Sequence, residues 1–388
     1  MRLNQPNRSS IPHVRRVFVT GAAGFIGSHL VERLLAENYQ VVGFDNLSGG
    51  HQHFLGEVWN HPELTMMEGD ILDADLMASA MEGCDLVCHL AGNTNLWLDI
   101  RQPTLDLSQN TMGTLQVLQA TLNAKVPRFF FISSSEVYGH TTIEPVTENT
   151  SYPRVDTLYG TSKLACEGLI QTYARNFHLQ STVARVGAVT GPRARRNLIA
   201  DIYRALVLSP EEFQMAVSPS QRHSFIHVQD VIDAAIHLLG RHSTHHQEAL
   251  VEIFNVASNE TARISDVVRL ICRCQGLYPS VRLAEESSAS AGREKPVLLD
   301  TERLRQTGWQ HRYPLQQSIS ETLEWLRENH WALGDPYAQM PAPAAKARDT
   351  STPVPSGTLT PAPPPAEPAA PATRSKWNLI SSILPNKN

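Results

Sequence analysis

The chain has 388 residues, of which 41% are hydrophobic, and its formal net charge is −5. A chain of this length buries a large core, and its mildly acidic balance gives no general attraction to nucleic acid or to anionic membranes. No apolar run is long enough to span a membrane, and the polar start shows no signal peptide. The five cysteines are scattered and odd in number, and Cys272 and Cys274 lack a second pair at zinc spacing. We therefore expect neither a disulfide framework nor a metal site, and we expect a reducing, cytoplasmic compartment.

Short β-branched runs alternate with longer amphipathic stretches from residue 15 onward. Strands are predicted at 16–20, 40–44, 86–90, 128–133 and 181–186. Helices are predicted at 27–37, 112–123, 161–175, 231–239, 264–272 and 318–327. This alternation predicts an α/β fold with a Rossmann-like, doubly wound parallel sheet.

The periodic pattern changes along the chain and predicts four regions. Residues 1–14 form a flexible leader, 15–190 a dinucleotide-binding domain, and 191–334 a smaller substrate-binding lobe that shares some sheet elements. Residues 335–388 are rich in Pro and Ala and predict a disordered tail, because such a composition buries too little apolar area to offset its ordering entropy. The tail ends in an apolar stretch around Trp377 that is either a docking peptide for an unknown partner or simply a sticky terminus.

A glycine-rich turn joins the first predicted strand to the first helix. Gly21 permits the tight turn, Gly24 lets the backbone approach a pyrophosphate, and Gly27 lets the helix pack closely on the strand. Phe25 and Ile26 begin the helix, whose N-terminus faces the negative phosphates. The turn predicts a bound dinucleotide.

Acidic residues after the second strand indicate which dinucleotide is bound. Asp45 ends that strand, where a carboxylate accepts hydrogen bonds from the adenosine ribose and repels a 2′-phosphate, so NAD is favoured over NADP. Asp70 is either close to the adenine or a cap for its own turn. Asn46 and Ile71, beside these two residues, are assigned to the same cofactor site.

Tyr159 and Lys163 are spaced by four residues, which places both side chains on one face of a helix. A nearby ammonium group and a positive nicotinamide would together lower the pKa of the phenol and make it a base. Ser134 follows the strand predicted at 128–133 and is placed to bridge the Tyr159 oxygen and a substrate hydroxyl. The alternatives without a catalytic role are an exposed pair on a helix and a serine-rich turn.

Taken in order, these features resemble the extended short-chain dehydrogenase/reductase family, in its nucleotide-sugar epimerase/dehydratase branch. The resemblance covers roughly residues 15–330 and is carried by TGAAGFIGSHL, FDNLSGG, EGDI, HLAG, NTMGTLQVL, SSSEVYG, PVTE, YGTSK, GPR, SFIHVQDV and FNVAS. It implies that Tyr159, Lys163 and Ser134 oxidise a sugar at C4 with NAD, and that Leu90 and Ala91 contact the cofactor. It also implies a homodimer built on the helices that follow Asn110 and Tyr159.

Glu136 bears on the reaction that follows oxidation. Epimerases of this branch often carry a small residue there, whereas dehydratases and sugar-acid decarboxylases usually carry Glu as an acid/base. The DNLSGG stretch resembles 4-epimerases more closely. We therefore favour a nucleotide-sugar 4-epimerase and keep a 4,6-dehydratase or a UDP-glucuronate-type decarboxylase as the alternative.

The predicted substrate end departs from the family pattern. Ala188 replaces the asparagine that contacts the nucleotide sugar, and His223 replaces an arginine, with Arg222 one place earlier. Ser135, Arg193, Arg222 and His223 are assigned to the nucleotide-diphosphate sugar, because arginines can neutralise a diphosphate. The alternative is that these arginines belong to a solvated basic loop that binds no ligand.

Two other classes of function stay open from the sequence. One is a non-catalytic NAD-binding scaffold that works through its C-terminal peptide, although such a scaffold has no use for Tyr159, Lys163 and Ser134. The other is a steroid or small-alcohol dehydrogenase, which would consume free NAD stoichiometrically.

Overall fold

Strands and helices alternate along the chain. The computed structural model describes residues 13–94, 102–139, 141, 144–150, 155, 157–215, 218–241, 250–283 and 297–334. Strands β1 to β12 are Arg16–Thr20, Gln40–Asp45, Leu64–Glu68, Leu86–His89, Arg128–Ser134, Gln180–Val186, Ala188–Thr190, Glu212–Met215, Arg222–His227, Val251–Val256, Thr261–Arg263 and Ser280–Leu283. Helices α1 to α10 are Phe25–Ala36, Ala74–Ala80, Pro103–Asp106, Gly113–Asn123, Leu158–Phe177, Leu198–Leu208, Val228–Gly240, Ile264–Gln275, Glu302–Arg305 and Leu315–Glu328.

Seven of these strands form one sheet in the order β10-β6-β5-β4-β1-β2-β3. Every neighbouring pair is parallel, and the order reverses direction at β1, between β4 and β2. This arrangement confirms the predicted doubly wound sheet, and such a switch point is where these folds bind ligands at the carboxyl ends of the strands.

Apolar side chains alternate between the two faces of this sheet. Val17 and Val19 of β1 pack in one core with Leu34 of α1 and with α7, whereas Phe18 packs in a second core with Val117 of α4 and with α2 and α5. Because both faces are covered by helices, the strands are nearly continuous runs of buried residues.

A smaller lobe begins at the carboxyl edge of the sheet, where β7 follows β6 almost at once. Two small sheets, β11-β9-β7 and β12-β8, pack with α6, α8 and α10 around a third core. β10, which follows β9 in the chain, returns to the central sheet beside β6. β10 lies within the range predicted for the smaller lobe, 191–334, and pairs in the central sheet, while the division into domains stays a prediction.

Several elements were not predicted from the sequence, among them the 11-residue helix α6 and some short or half-exposed elements. β3 is an edge strand without a continuous buried run, and α2 has only seven residues, capped by Asp73. Several predicted helices begin too late: α1 begins at Phe25 and α5 at Leu158, because capping at Gly24 and Thr157 precedes the first apolar repeat.

The two predicted terminal regions lie mostly outside the described residues. Of the predicted leader 1–14, His13 and Val14 are described, and Val14 is buried in the core; the leader itself stays a prediction. The predicted tail 335–388 lies outside the described residues altogether. Among the helices that the structure describes, none is long and apolar enough to cross a bilayer.

Candidate active site

The glycine-rich turn joins the end of β1 to the start of α1 as predicted. Gly21 has a φ of +68°, a backbone conformation that favours glycine, and its amide donates to the Phe44 carbonyl (2.8 Å). A Cβ on Gly27 would overlap the carbonyl oxygen of Gly21. The helix can therefore pass this close to the turn only if residue 27 is glycine.

This turn leaves amide groups available to an anion. Gly24 is the N-cap of α1 and has no side chain to accept from the first turn, which also contains no acidic residue. The first amides of a helix lack partners inside the helix, and its macrodipole favours negative charge there. Phe25 and Ile26 are the first two residues of this turn, so the turn fits a dinucleotide pyrophosphate.

Asp45 ends β2 beside the glycine turn. Its carboxylate accepts from the amides of Ala23 (2.9 Å) and Leu47 (2.8 Å). Burial raises the pKa of Asp45, and these two amide bonds act in the opposite direction. Each carboxylate oxygen has a further lone pair, so the position still fits a ribose hydroxyl.

The other predicted adenosine contacts cluster at the same sheet edge. The Asn46 side-chain amide donates to Asp70 Oδ2 (2.9 Å), and Asp70 Oδ1 accepts from the amide of Leu72 (2.9 Å). Asp70 thus caps its own turn, which was the second reading of this residue. Ile71 is buried, and a Cβ on Gly113 would lie 2.5 Å from its terminal carbon, so its side chain packs against α4.

Thr20 connects the glycine turn to the predicted contacts at the end of β4. Its Oγ1 accepts from the amides of Leu90 (3.1 Å) and Ala91 (3.2 Å) and bonds His89 Nδ1 at 2.7 Å. Leu90 and Ala91 therefore lie against the turn at Gly21, as the cofactor assignment requires.

The predicted catalytic side chains meet between β5 and α5. The Ser134 hydroxyl lies close enough to the Tyr159 phenol to oppose the rise of its pKa, and the Lys163 ammonium donates to the Ile132 carbonyl (3.1 Å). Lys163 Nζ lies 6.0 Å from the centroid of the Tyr159 ring. Glu136 is close enough for its charge to act on the phenol. All four predicted catalytic residues are thus in one place.

Burial is the largest influence on the pKa values of Tyr159 and Lys163. Burial raises the pKa of Tyr159, and the charges of Glu136 and Asp106 add to this rise, while the Ser134 hydrogen bond opposes it. Burial also lowers the pKa of Lys163. The prediction that Lys163 and a bound nicotinamide together lower the phenol pKa stays a prediction; in this arrangement the ammonium donates to the Ile132 carbonyl.

Asn110 is a site residue whose role the sequence analysis missed. Its side-chain nitrogen donates to Ser162 Oγ (2.9 Å) and Asp106 Oδ1 (3.1 Å), and its oxygen accepts from the Asn93 amide (2.7 Å). It lies in a π-helical turn, Leu107–Met112, just before α4. The signal was a buried amide in a helical apolar repeat, since buried polar groups in proteins are hydrogen bonded.

The predicted substrate residues are less closely grouped. Arg193 is turned to α1, where it pairs with Glu32 (2.5 Å) and donates to Ser28 Oγ (3.1 Å). Arg222 is exposed and donates to Thr261 Oγ1 (2.5 Å). Both guanidinium groups have internal partners, so neither is committed to a ligand by geometry alone.

His223 and Ser135 differ from these arginines. The His223 ring stacks on Phe225, with 5.7 Å between centroids, and its buried Nε2 has no hydrogen-bond partner within the described ranges. Burial lowers its pKa to about 4, so the ring is neutral at physiological pH. Ser135 starts the 3-10 turn Ser135–Tyr138 directly beyond Ser134. Among the described side chains, no group of three or more His, Cys, Asp or Glu could hold a metal ion.

Comparisons with known proteins agree with this geometry. A family model described as the NAD dependent epimerase/dehydratase family matches residues 17–257. A trifunctional UDP-glucose 4,6-dehydratase/UDP-4-keto-6-deoxy-D-glucose 3,5-epimerase/UDP-4-keto-L-rhamnose-reductase of Arabidopsis thaliana is 24% identical over 329 residues, or 83% of this chain and 48% of the plant protein. The chain thus spans about half the length of this plant relative.

Two further similarities cover nearly all of the other protein. A UDP-glucose 4-epimerase of Mycolicibacterium smegmatis is 28% identical over 319 residues, which is 80% of this chain and 98% of that enzyme. A crystal structure of a UDP-galactose 4-epimerase superimposes with a TM-score of 0.72 at 30% identity, covering 81% of this chain and 100% of the other.

Proposed function

Because the chain belongs to the NAD-dependent epimerase/dehydratase family, we propose that it is a nucleotide-sugar 4-epimerase with NAD as its cofactor. The observation that carries the proposal is the grouping of the Ser134 hydroxyl and the Tyr159 phenol beside the buried ammonium of Lys163. A phenol in this setting can remove the proton of a sugar hydroxyl once it is held within hydrogen-bond distance.

Each catalytic side chain has a distinct part in this proposal. Tyr159 takes the proton from the hydroxyl at sugar C4, and Ser134 hydrogen bonds both the phenol and that hydroxyl. NAD, when bound, supplies the acceptor for the hydride and later its return. Lys163 contributes positive charge near the phenol and orients the ribose. The 4-keto sugar then rotates to present its other face, and re-protonation by Tyr159 gives the epimer.

The positive charge needed to form the phenolate cannot come from Lys163 alone in this arrangement. Burial and the charge of Glu136 hold the pKa of Tyr159 above its usual value. The nicotinamide of oxidised NAD is cationic, and an opposite charge within a few ångströms lowers a phenol pKa. We therefore propose that Tyr159 becomes a base only in the complex with the oxidised cofactor.

We assign the cofactor site to the residues around the carboxyl ends of β1, β2 and β4. The glycine turn and the start of α1 hold the pyrophosphate, Asp45 accepts from the adenosine ribose, and Leu90 and Ala91 border the nicotinamide half. The residues of this site are Gly21, Gly24, Phe25, Ile26, Gly27, Asp45, Asn46, Asp70, Ile71, Leu90, Ala91, Tyr159 and Lys163.

The second candidate is a 4,6-dehydratase or decarboxylase of nucleotide sugars, and Glu136 favours it. The carboxyl group of Glu136 acts electrostatically on Tyr159, so in this second proposal it would reach the carbon next to the one that Tyr159 helps to oxidise. A carboxyl group there can move a proton at that neighbouring carbon and so promote loss of water.

Mass spectrometry of the product distinguishes these candidates. Purified protein is mixed separately with UDP-glucose, UDP-N-acetylglucosamine and UDP-glucuronate. We expect a product of unchanged mass, resolved as the 4-epimer by chromatography. A product lighter by one water or one carbon dioxide would replace epimerisation with the second candidate. No turnover on any nucleotide sugar would refute the nucleotide-sugar assignment.

Glu136→Gln tests the role of the carboxyl group within the active enzyme. For an epimerase we expect turnover to fall less than about tenfold, because no general acid or base other than Tyr159 is required. For a dehydratase, loss of the acid/base would cost about 10²- to 10⁴-fold. Steady-state turnover of the variant, compared with the same change at an exposed position, Glu82→Gln, as the control, measures this difference.

His223→Arg tests the altered substrate end. The new guanidinium would place a cation where the family has one, and a charge-assisted hydrogen bond to a diphosphate contributes about 1.5–3 kcal/mol. We expect KM for UDP-glucose to fall about tenfold or more, with little change in kcat. The exposed His178→Arg, which adds the same charge elsewhere, is the control. An unchanged KM would show that His223 does not face the diphosphate.

We further propose a homodimer in a reducing compartment. Large apolar side chains are exposed at both ends of α5, at Leu158 (40%) and Phe177 (55%), and at Met112 (42%) before α4. These helices are the ones that the family resemblance places at the dimer interface. The free thiols of Cys84, Cys88, Cys166, Cys272 and Cys274 fit a reducing, cytoplasmic setting.

A further inference from the structure

A single buried ion pair holds both ends of the segment that contains Ser134 and Glu136. At one end, Ser133 Oγ donates to Glu167 Oε1 (2.6 Å). At the other end, Arg185 Nη1 donates to the Tyr138 hydroxyl (2.8 Å). Glu167 and Arg185 bond each other through Nη2 and Oε2 (2.7 Å), with Nε a further donor (3.1 Å).

The surroundings of this pair leave it little freedom to move. Glu167 is 0% exposed and Arg185 4%. The Tyr138 hydroxyl donates a hydrogen bond to Asn255 Oδ1 (2.7 Å). Asn255 in turn donates to the carbonyls of Val146 and Asp300, both at 2.9 Å. A polar network whose members are all paired is rigid and specifies one arrangement.

Stability alone does not account for such a pair. Desolvation of two buried charges roughly cancels their attraction, and apolar replacements of buried ion pairs are often neutral or stabilising. The pair does, however, connect β5, α5 and β6, and it fixes residues on both sides of Ser134. Its directional bonds define geometry that apolar packing would leave looser.

The same pair also fixes the catalytic segment relative to the base. Tyr159, Lys163 and Glu167 succeed one another at intervals of one turn along α5, so they share a face of that helix. Lys163 bonds the Ile132 carbonyl (3.1 Å), and Glu167 bonds Ser133, the next residue of β5. These two bonds thereby fix the end of β5, just before Ser134, relative to the helix that carries Tyr159.

We propose that Glu167 and Arg185 are positioning residues, which clamp residues 133–138 at both ends and so hold Ser134 in place beside the helix that carries Tyr159. This inference rests on the proposed function for its effect on turnover. It concerns the rate of sugar oxidation and not the binding of NAD or substrate, because neither charge is exposed to a ligand.

The test replaces both charges together, as Glu167→Met with Arg185→Met, so that no unpaired charge stays buried. We expect the protein to fold and to bind NAD, KM for the sugar to change less than about threefold, and kcat to fall about 10²-fold. A displacement of about 1 Å at a catalytic group has a cost of that size. The exposed pair Asp266 and Arg269, changed to Met in the same way, is the control and should leave kcat unchanged.

Two single variants release one end each and keep the ion pair. Ser133→Ala removes the bond to Glu167, and Tyr138→Phe removes the bond to Arg185. We expect each to lower kcat less than the double charge replacement does, with KM again unchanged. Should the double replacement fail to fold, these two variants decide the matter: wild-type kcat in both would overturn the proposal.

Hydrogen exchange of the amides in residues 133–139 supplies a readout that needs no turnover. We expect faster exchange there in the clamp variants and unchanged exchange in α8, whether or not a substrate is known. Exchange at the wild-type rate in the folded double variant would overturn the clamp. Absence of turnover in the wild-type protein would count against the proposed function and leave the exchange test valid.

Discussion

Tyr159→Phe is expected to lower turnover by about 10³-fold or more and to leave the fold and NAD binding intact. The change removes one hydroxyl, which is the group beside Ser134 that we assign to take the sugar proton. Loss of a general base costs about 10²- to 10⁴-fold. Steady-state epimerisation, thermal unfolding and the NAD content of the purified protein measure the three parts of this expectation.

Tyr173→Phe is the matched control for this variant. Tyr173 lies on the same helix, fourteen residues beyond Tyr159, and packs beside Phe177 with 5.3 Å between ring centroids. Its hydroxyl has no part in the proposed chemistry, so turnover should stay within about twofold of the wild type. Retention of more than a tenth of the turnover in Tyr159→Phe would remove Tyr159 from the role of base.

Gly27→Ala is expected to produce the largest loss of cofactor. Its methyl group would overlap the carbonyl oxygen of Gly21 and come 3.2 Å from the Cα of Ala22. These are backbone atoms of the cofactor turn, so the turn must move rather than a flexible side chain. We expect NAD affinity to fall at least about 10²-fold and stability to fall by about 1–3 kcal/mol, which is the usual range for overpacking.

Gly168→Ala is the matched control for Gly27→Ala, and the expected change in stability has the opposite sign. A Cβ on Gly168 meets nothing within 4 Å, and glycine inside a helix is about 1 kcal/mol less favourable than alanine. This variant should therefore be slightly more stable and should keep its NAD. Calorimetric titration with NAD and thermal unfolding compare the two variants. Wild-type NAD affinity in Gly27→Ala would mean that the cofactor does not use this turn.

The sheet and the cofactor turn could be predicted from the sequence because their signals are local. Fully buried strands such as β1 and β5 read as continuous apolar runs, and the spacing of Gly21 and Gly27 has few alternative explanations. β10 could not be placed in the same way. It comes after β9 of the smaller lobe in the chain and pairs with β6 in the central sheet. The paired residues are about seventy positions apart, and such a contact leaves no periodic pattern in the sequence.

The residues of the catalytic group could also be named, but not their electrostatics. The spacing of Tyr159 and Lys163 predicts a shared helix face, which the structure has. The spacing does not reveal that the Lys163 ammonium donates to the Ile132 carbonyl, or that burial raises the pKa of Tyr159. Both effects depend on how closely β5 packs on α5, and that depends on the whole core.

The substrate end shows the same limit more clearly. Arg193 was assigned to the diphosphate because of its charge, yet its guanidinium pairs with Glu32 across 161 positions in the chain. A sequence gives the charge of a side chain and not the direction in which it points. His223, chosen only because it replaces an arginine, is the residue of this set whose buried nitrogen lacks a partner in the region described.

The most direct test of the proposed chemistry is the product formed from UDP-glucose by the purified protein, followed by mass spectrometry and chromatography beside Tyr159→Phe. The account predicts conversion to the 4-epimer at unchanged mass, without added NAD being consumed, and no conversion by the variant. Equal conversion by both proteins, or none by the wild type with any of the three nucleotide sugars, would contradict it.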